Sequence, residues 1–232
     1  MKTITFAVAL SVAAIAFAAC GTAPTTTNTN TRTNTAVVNS NTNSMMNMNG
    51  STMNANSMNH NGMMNHSDMK SSPNAASAPY DLQFLDTMTH HHQGALDMAK
   101  VAVEKTQNQE LKAFAQKIIA DQNKEIAQMK DWREKWFAGK QPAMNMEMPG
   151  MGDGMKMMMG DKMKKWEATS GKEFDLMFLD MMTSHHEGAT VMSKEALTKA
   201  ERPEIKTLAN QIIKAQEEEI KRMQAWKTAW SK

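Results

Sequence analysis

The chain contains one stretch twice. Residues 80–136 align with residues 174–230 at a constant offset of 94 and without a gap, so that Asp86 falls on Asp180, His91 on His185, Gly94 on Gly188, Glu125 on Glu219 and Trp132 on Trp226. Chance similarity does not stay in register over that length, and whatever one copy folds into, the other must fold into as well. Within the first copy, Phe84, Met88, His91, Ala95, Met98 and Ala102 recur at helical spacing, with Leu85, His92 and Ala99 widening the stripe. Ile118, Gln122, Glu125, Met129, Trp132 and Trp136 repeat the pattern further on. The polar segments "TQNQE" and, in the second copy, "AERPE" separate the two helices, and Pro203 suits a first helical position. "SGKE", Ser170 to Glu173, reads as a capping box opening the second copy. Each copy is therefore predicted to be a helical hairpin. A lone hairpin buries too little, so the expectation is an all-α fold in which both hairpins form one four-helix bundle, with residues 137–173 as the crossover connection.

The remainder is unlike this. Lys2 precedes an apolar run from Ile4 to Ala19 that is too short for a comfortable membrane span and reads as an export signal. Cys20, the one cysteine, follows "AFAA" and resembles the lipidated cysteine of bacterial lipoproteins; Phe17 departs from that pattern, which leaves ordinary cleavage near Ala18 or Ala19 open. Residues 1–20 are thus expected to be a lipoprotein-type signal, placing the mature chain in the bacterial cell envelope, periplasmic or tethered to the outer membrane. With one cysteine it forms no internal disulfide. Residues 21–79 are Thr, Asn, Ser and Met with few branched apolar side chains, and such a composition predicts a disordered tether. The formal charge of +2 is spread through the helical segments, so no field singles out nucleic acid or an anionic surface as a partner.

The histidines stand where a bundle needs apolar side chains. If the first hairpin turns near Gln107 and Asn108, His91 and His92 face Gln122 and Glu125, and by the same construction His185 and His186 face Gln216 and Glu219. Polar groups collected into one buried layer are costly unless paired or bound to metal. Imidazoles that merely pack against glutamates are the bland account. Against it stands the recurrence of an adjacent pair in both copies, each with a methionine one turn earlier, Met88 or Met182, and another beyond, Met98 or Met192. At about 100° per residue, Met88 lies angularly between His91 and His92, so thioether and imidazole can converge. Gly94, Ala95, Gly188 and Ala189 keep that surface open, whereas His90, replaced by Ser184 in the second copy, is peripheral. Thioether with imidazole suits copper, Cu(I) above all, and there is no Glu-x-x-His motif of the di-iron kind.

Seventeen of the 26 methionines lie in two low-complexity segments outside the repeats, eight from Met45 to Met69 and nine from Met144 to Met163. With no core there to fill, runs such as "MNHNGMMNH", with His60 and His66, and "MKMMM" fit a flexible soft-metal chelator. Compositional drift and a sink for oxidants are the alternatives.

"FLDTMTHHHQGALDMAK" with "IIADQNKEIAQMKDW", and "FLDMMTSHHEGATVMSK" with "IIKAQEEEIKRMQAW", resemble the DUF305 family of exported, ferritin-like helical-bundle proteins. The resemblance spans both repeats and leaves out the tether and the Met-rich connection. Its better-known members resemble periplasmic copper-binding proteins that support copper tolerance. It implies a metal role for Met88, His91, His92, Met98 and Met129, and for Met182, His185, His186, Met192 and Met223. Glu125 and Glu219, facing the histidines, complete the candidate set. The expected function is sequestration or delivery of Cu(I), with Ag(I) as a second cargo, delivery requiring a copper-handling partner protein; no catalysis is expected. A ferritin-like metal oxidase using Glu125 and Glu219 is the alternative, and a structural envelope protein the third.

Overall fold

The computed structural model describes residues 70–156 and 161–232. Six α-helices follow a 3-10 turn at Ala75–Ser77: α1 Tyr80–Lys105, α2 Gln109–Phe137, α3 Met151–Lys156, α4 Asp161–Ala168, α5 Gly171–Lys199 and α6 Pro203–Trp230. The described residues contain no strand, and no helix among them is long and apolar enough to cross a membrane.

The repeat folds as two hairpins, α1 with α2 and α5 with α6. α1 buries Phe84, Leu85, Met88, Ala95, Met98, Ala99 and Ala102 completely, and α5 does the same with Phe174, Phe178, Met182, Ala189, Met192 and Ala196. The first hairpin turns over residues 106–108, where Asn108 caps α2 by accepting from the backbone N–H of Glu110 and Leu111 at 2.9 and 3.2 Å. The second turn works differently. Pro203 opens α6, and the carboxylate of Asp81, from the start of α1, accepts from the N–H of Glu201 and Arg202 at 3.0 and 3.1 Å. At α5 the expected capping box does not form: Ser170 occupies the cap position without a side-chain bond, because the helix is entered through Gly171 at φ 61°.

Each long helix runs antiparallel to two neighbours. Tyr80 donates to Glu195 at 3.2 Å and Thr106 to Asp175 at 2.6 Å, which sets α1 head to tail against α5. Lys117 meets Glu219 at 3.0 Å, and Arg202 lies over the Trp136 ring at 4.2 Å, which does the same for α2 and α6. The expected four-helix bundle is thus present. Its α2 ends beside the start of α1, where Arg133 pairs with Asp86 at 3.3 Å, whereas α5 begins beside the end of α1. The connection must therefore travel the length of the bundle.

It does so along the α1–α5 pair and is part of the core. Ala143 N–H donates to Asp86, Asn145 N–H to Thr87 and the Asn145 amide to Gln83, each at 2.8–2.9 Å. α3 packs on α5 and α1. Beyond it Trp166 is fully buried, stacks on Phe174 with ring centroids 4.8 Å apart, and donates its indole N–H to the Phe174 carbonyl at 3.1 Å. Met144, Met148, Met151 and Met155 are all buried. The expectation that methionines of this segment have no core to fill is corrected for these four: the polar back of α1 receives the connection and closes a third layer over them. The predicted signal, Cys20, residues 21–69 of the expected tether and the methionines from Met45 to Met69 lie outside the described residues. The last stretch of that tether, residues 70–79, is corrected: it is ordered against the bundle, with Ala75 buried in a 3-10 turn, Ser72 N–H donating to the Met144 carbonyl at 2.8 Å and the Gln83 amide donating to the Ala78 carbonyl at 2.7 Å.

Candidate metal centre

His92 and His186 sit one turn beyond Met88 and Met182, on the inner faces of α1 and α5. Each ring is held by the glutamate that the hairpin geometry predicts. His92 Nε2 lies 2.6 Å from Glu125 Oε2, and His186 Nε2 lies 2.9 Å from Glu219 Oε2. With Nε2–H donating to the carboxylate, the lone pair resides on Nδ1, and in both rings Nδ1 is buried without a hydrogen-bond partner. A carboxylate thus fixes tautomer and orientation while leaving one nitrogen to ligate. Glu219 is additionally bridged to Lys117 at 3.0 Å. Burial alone would raise its carboxyl pKa, but the hydrogen bond and charge of His186, joined by Lys117, hold it below the usual value. Position 211, which corresponds to Lys117 in the second copy, is glutamine, so the two copies are not electrostatically equivalent.

The other two histidines meet each other. The His91 and His185 rings face across the α1–α5 contact with centroids 3.8 Å apart and planes tilted by 40°. Within each helix the neighbouring rings are 6.5 and 6.4 Å apart. Four imidazoles therefore form a row, His92–His91–His185–His186, anchored at its ends by Glu125 and Glu219. Neither ring nitrogen of His91 has a hydrogen-bond partner. Burial, and then the charges of His92 and His186, push its pKa well below the ordinary histidine value, which keeps the ring neutral and its lone pair available.

The sulfur candidates share this interior. Met88, Met98, Met129, Met182, Met192 and Met223 are all fully buried. Gln122, expected opposite His91, is buried with neither amide atom bonded, and Gln216 leaves its carbonyl oxygen without a partner. His90 is half-buried, off the row. Among the described residues no group of three or more His, Cys, Asp or Glu is arranged to hold a metal ion, so an ion bound here must draw on thioethers or amides as well. The donor set, buried imidazole nitrogens and thioether sulfurs, fits a soft ion and is poor for a hard one.

Two features of the site were not expected from the sequence. One is the His91–His185 contact, which depends on how the hairpins dock and has no signature within either copy. The other is the roof over it. A Cβ built on Gly154 would lie 2.5 Å from His91 Nε2 and 3.3 Å from the His185 carbonyl oxygen. Gly150, at φ 86°, abuts the Gly188 backbone, and a Cβ on Gly188 would lie 2.9 Å from Gly154 Cα. Gly188 was expected to keep its surface open; the backbone of the connection occupies that surface. The glycines of "PGMGDGM" carried this signal, since close backbone approach is one of the few reasons to retain them.

A family model described as a domain of unknown function, DUF305, matches residues 23–133 and 81–227. Among solved structures, CopM with Cu(II) bound is 38% identical at a TM-score of 0.55, over 65% of this chain and 97% of that one. CopM with Cu(I) bound, and with Ag bound by soaking, are each 35% identical at 0.53, over 65% of this chain and 96% of theirs. A secreted DUF305 protein of Streptomyces coelicolor is 28% identical at 0.58, over 66% of this chain and 94% of its own. No curated protein matches.

Proposed function

The chain belongs to the DUF305 family, and from that premise we propose that it is a copper-binding protein of the bacterial cell envelope, sequestering or handing on Cu(I) and also accepting Ag(I), without catalysing a reaction. One observation carries this reading: a row of four buried imidazoles whose end members are oriented by carboxylates, with unbonded nitrogens on His91, His92 and His186, inside a core that also buries six methionines. A layer built only for stability would have those nitrogens paired or replaced by apolar side chains, since each unsatisfied buried polar group costs about 1–3 kcal/mol. The copper- and silver-bound forms of CopM support the same cargo here.

The chemistry is recognition by softness. Copper enters as substrate, gains thioether and imidazole ligands, and exchanges hydration for a water-poor layer. His91 is already neutral, so no proton need leave it for the lone pair to bind. Glu125 and Glu219 compensate the charge that the ion brings. The export signal and Cys20 would place this cargo-holder at the membrane surface, where it supports copper tolerance by lowering free ion and delivers to a copper-handling partner.

Titration of the full mature chain with Cu(I) against a chromophoric chelator tests the reading. At least one equivalent is expected to be withheld from the chelator, and a variant with alanine at His91, His92, His185 and His186 is expected to release it. A wild-type chain that withholds none sinks the proposal. Oxygen uptake sustained beyond the bound equivalents would favour the metal-oxidase alternative instead.

A further inference from the structure

The connection between the hairpins has no copy elsewhere in the chain, and its short helix lies directly on the imidazole row. Three residues of α3, Met151, Gly154 and Met155, fall on one face, since positions three and four apart in a helix are neighbours. Met151 and Met155 are fully buried, and both belong to the same apolar cluster as Met88, Met98, Met182 and Met192. Gly154 presses against His91 near enough that a single methyl group would reach to 2.5 Å from Nε2. That nitrogen has no hydrogen-bond partner. A buried imidazole nitrogen therefore lies against a helix whose contacting residue has no side chain and whose neighbours on the same helix face, Met151 and Met155, are both thioethers.

From this geometry we propose that α3 is a wall of the metal site: Met151 and Met155 supply sulfur ligands to an ion held by His91 Nε2, on the side of α1 that faces the connection. This rests on the copper-binding reading and adds residues that neither repeat contains. Packing alone accounts for two buried methionines, because methionine fills irregular gaps. It does not account for a glycine at 154 that brings the α3 backbone up to an unbonded imidazole nitrogen, since alanine or serine there would cover or bond the nitrogen. Cu(I) is satisfied by a few soft donors, and one imidazole with two thioethers is such a set.

The test compares the full-length wild type with Met151→Leu/Met155→Leu, a swap that keeps volume and apolarity and is usually tolerated in a core. Three quantities are measured: Cu(I) affinity by chelator competition, sulfur scatterers per copper by X-ray absorption, and melting of the metal-free protein. The double variant should melt close to wild type, bind its tightest copper about tenfold or more weakly, and show fewer sulfurs per ion, given that even outer-shell losses cost metal sites about 10–100-fold. Gly154→Ala, which leaves both sulfurs in place, should also weaken binding by displacing α3 from His91. If wild type binds copper and the double variant matches it in affinity and sulfur count, α3 is packing only and the proposal is overturned while the copper-binding reading stands. Should the double variant fail to fold, Met151→Leu and Met155→Leu singly decide by the same two readouts. A wild type that binds no copper overturns both.

Discussion

His91 is the residue whose environment says most. It is completely buried, set against a second imidazole at a tilt and bonded through neither nitrogen, so protonating it in place would set a charge in a buried layer beside other imidazoles. Its folded pKa lies below the unfolded value near 6.5, which means the unfolded chain takes up the proton first. Stability linked to His91 is therefore complete above pH 6.5 and is lost progressively as the pH falls below it, by up to about 1.4 kcal/mol per pH unit. Glu219 has the opposite chemistry but the same sign. Its carboxyl is held below the ordinary glutamate value of 4.5, so its contribution fades only as the pH falls past that value. Between about pH 6.5 and pH 5 His91 should thus contribute to the slope, whereas Glu219 should not. Denaturant unfolding of the metal-free protein across that interval checks it: wild type should weaken on acidification, and His91→Leu should have a visibly flatter profile. Equal slopes would mean that the ring is protonated in the folded state.

At the scale of the element, the two hairpins reach the same shape by different local means. Asn108 caps α2 through two backbone amides, whereas α6 starts at Pro203 and borrows the Asp81 carboxylate from another helix. Replacing Asn108 with alanine should cost about 1 kcal/mol. In a domain of this size that lowers Tm by about 2–4 °C in a thermal melt, and an unchanged Tm would show that the turn carries its own order. The helices themselves were legible in the sequence, because apolar spacing is a property of one segment. The expected first hairpin over residues 80–136 is found as Tyr80–Lys105 and Gln109–Phe137, with the turn where it was placed. Pairing His92 with Glu125 and His186 with Glu219 was legible for the same reason, as it follows from counting outward from a turn. Ser170 misled because a cap needs a backbone geometry as well as a hydroxyl, and Gly171 at φ 61° supplies a different one.

For the whole molecule, the decisive element is the one that composition made look dispensable. Methionine, asparagine and glycine in low-complexity runs predict a loose connection, yet Trp166 is sealed between Phe174 and Phe178, and Asn145 is hydrogen-bonded to α1. The difference arises because an unbranched side chain is as good a core residue as leucine once a surface exists to receive it, and that surface is written elsewhere in the chain, at Gln83, Thr87 and Gly188. Trp166→Ala should therefore destabilise the whole bundle by about 3–5 kcal/mol, with both hairpins melting together in one transition. A variant of wild-type stability would return the connection to the status of a linker. The docking of the hairpins through His91 and His185 stayed hidden on similar grounds, since it is a relation between copies and not within one. A doubled chain begins with interchangeable halves, and nothing in such an object distinguishes front from back. The unduplicated segment, with its glycines seated on α5 beside His91, breaks that equivalence: it gives the molecule a direction, and lets two histidine pairs of common origin take on separate duties.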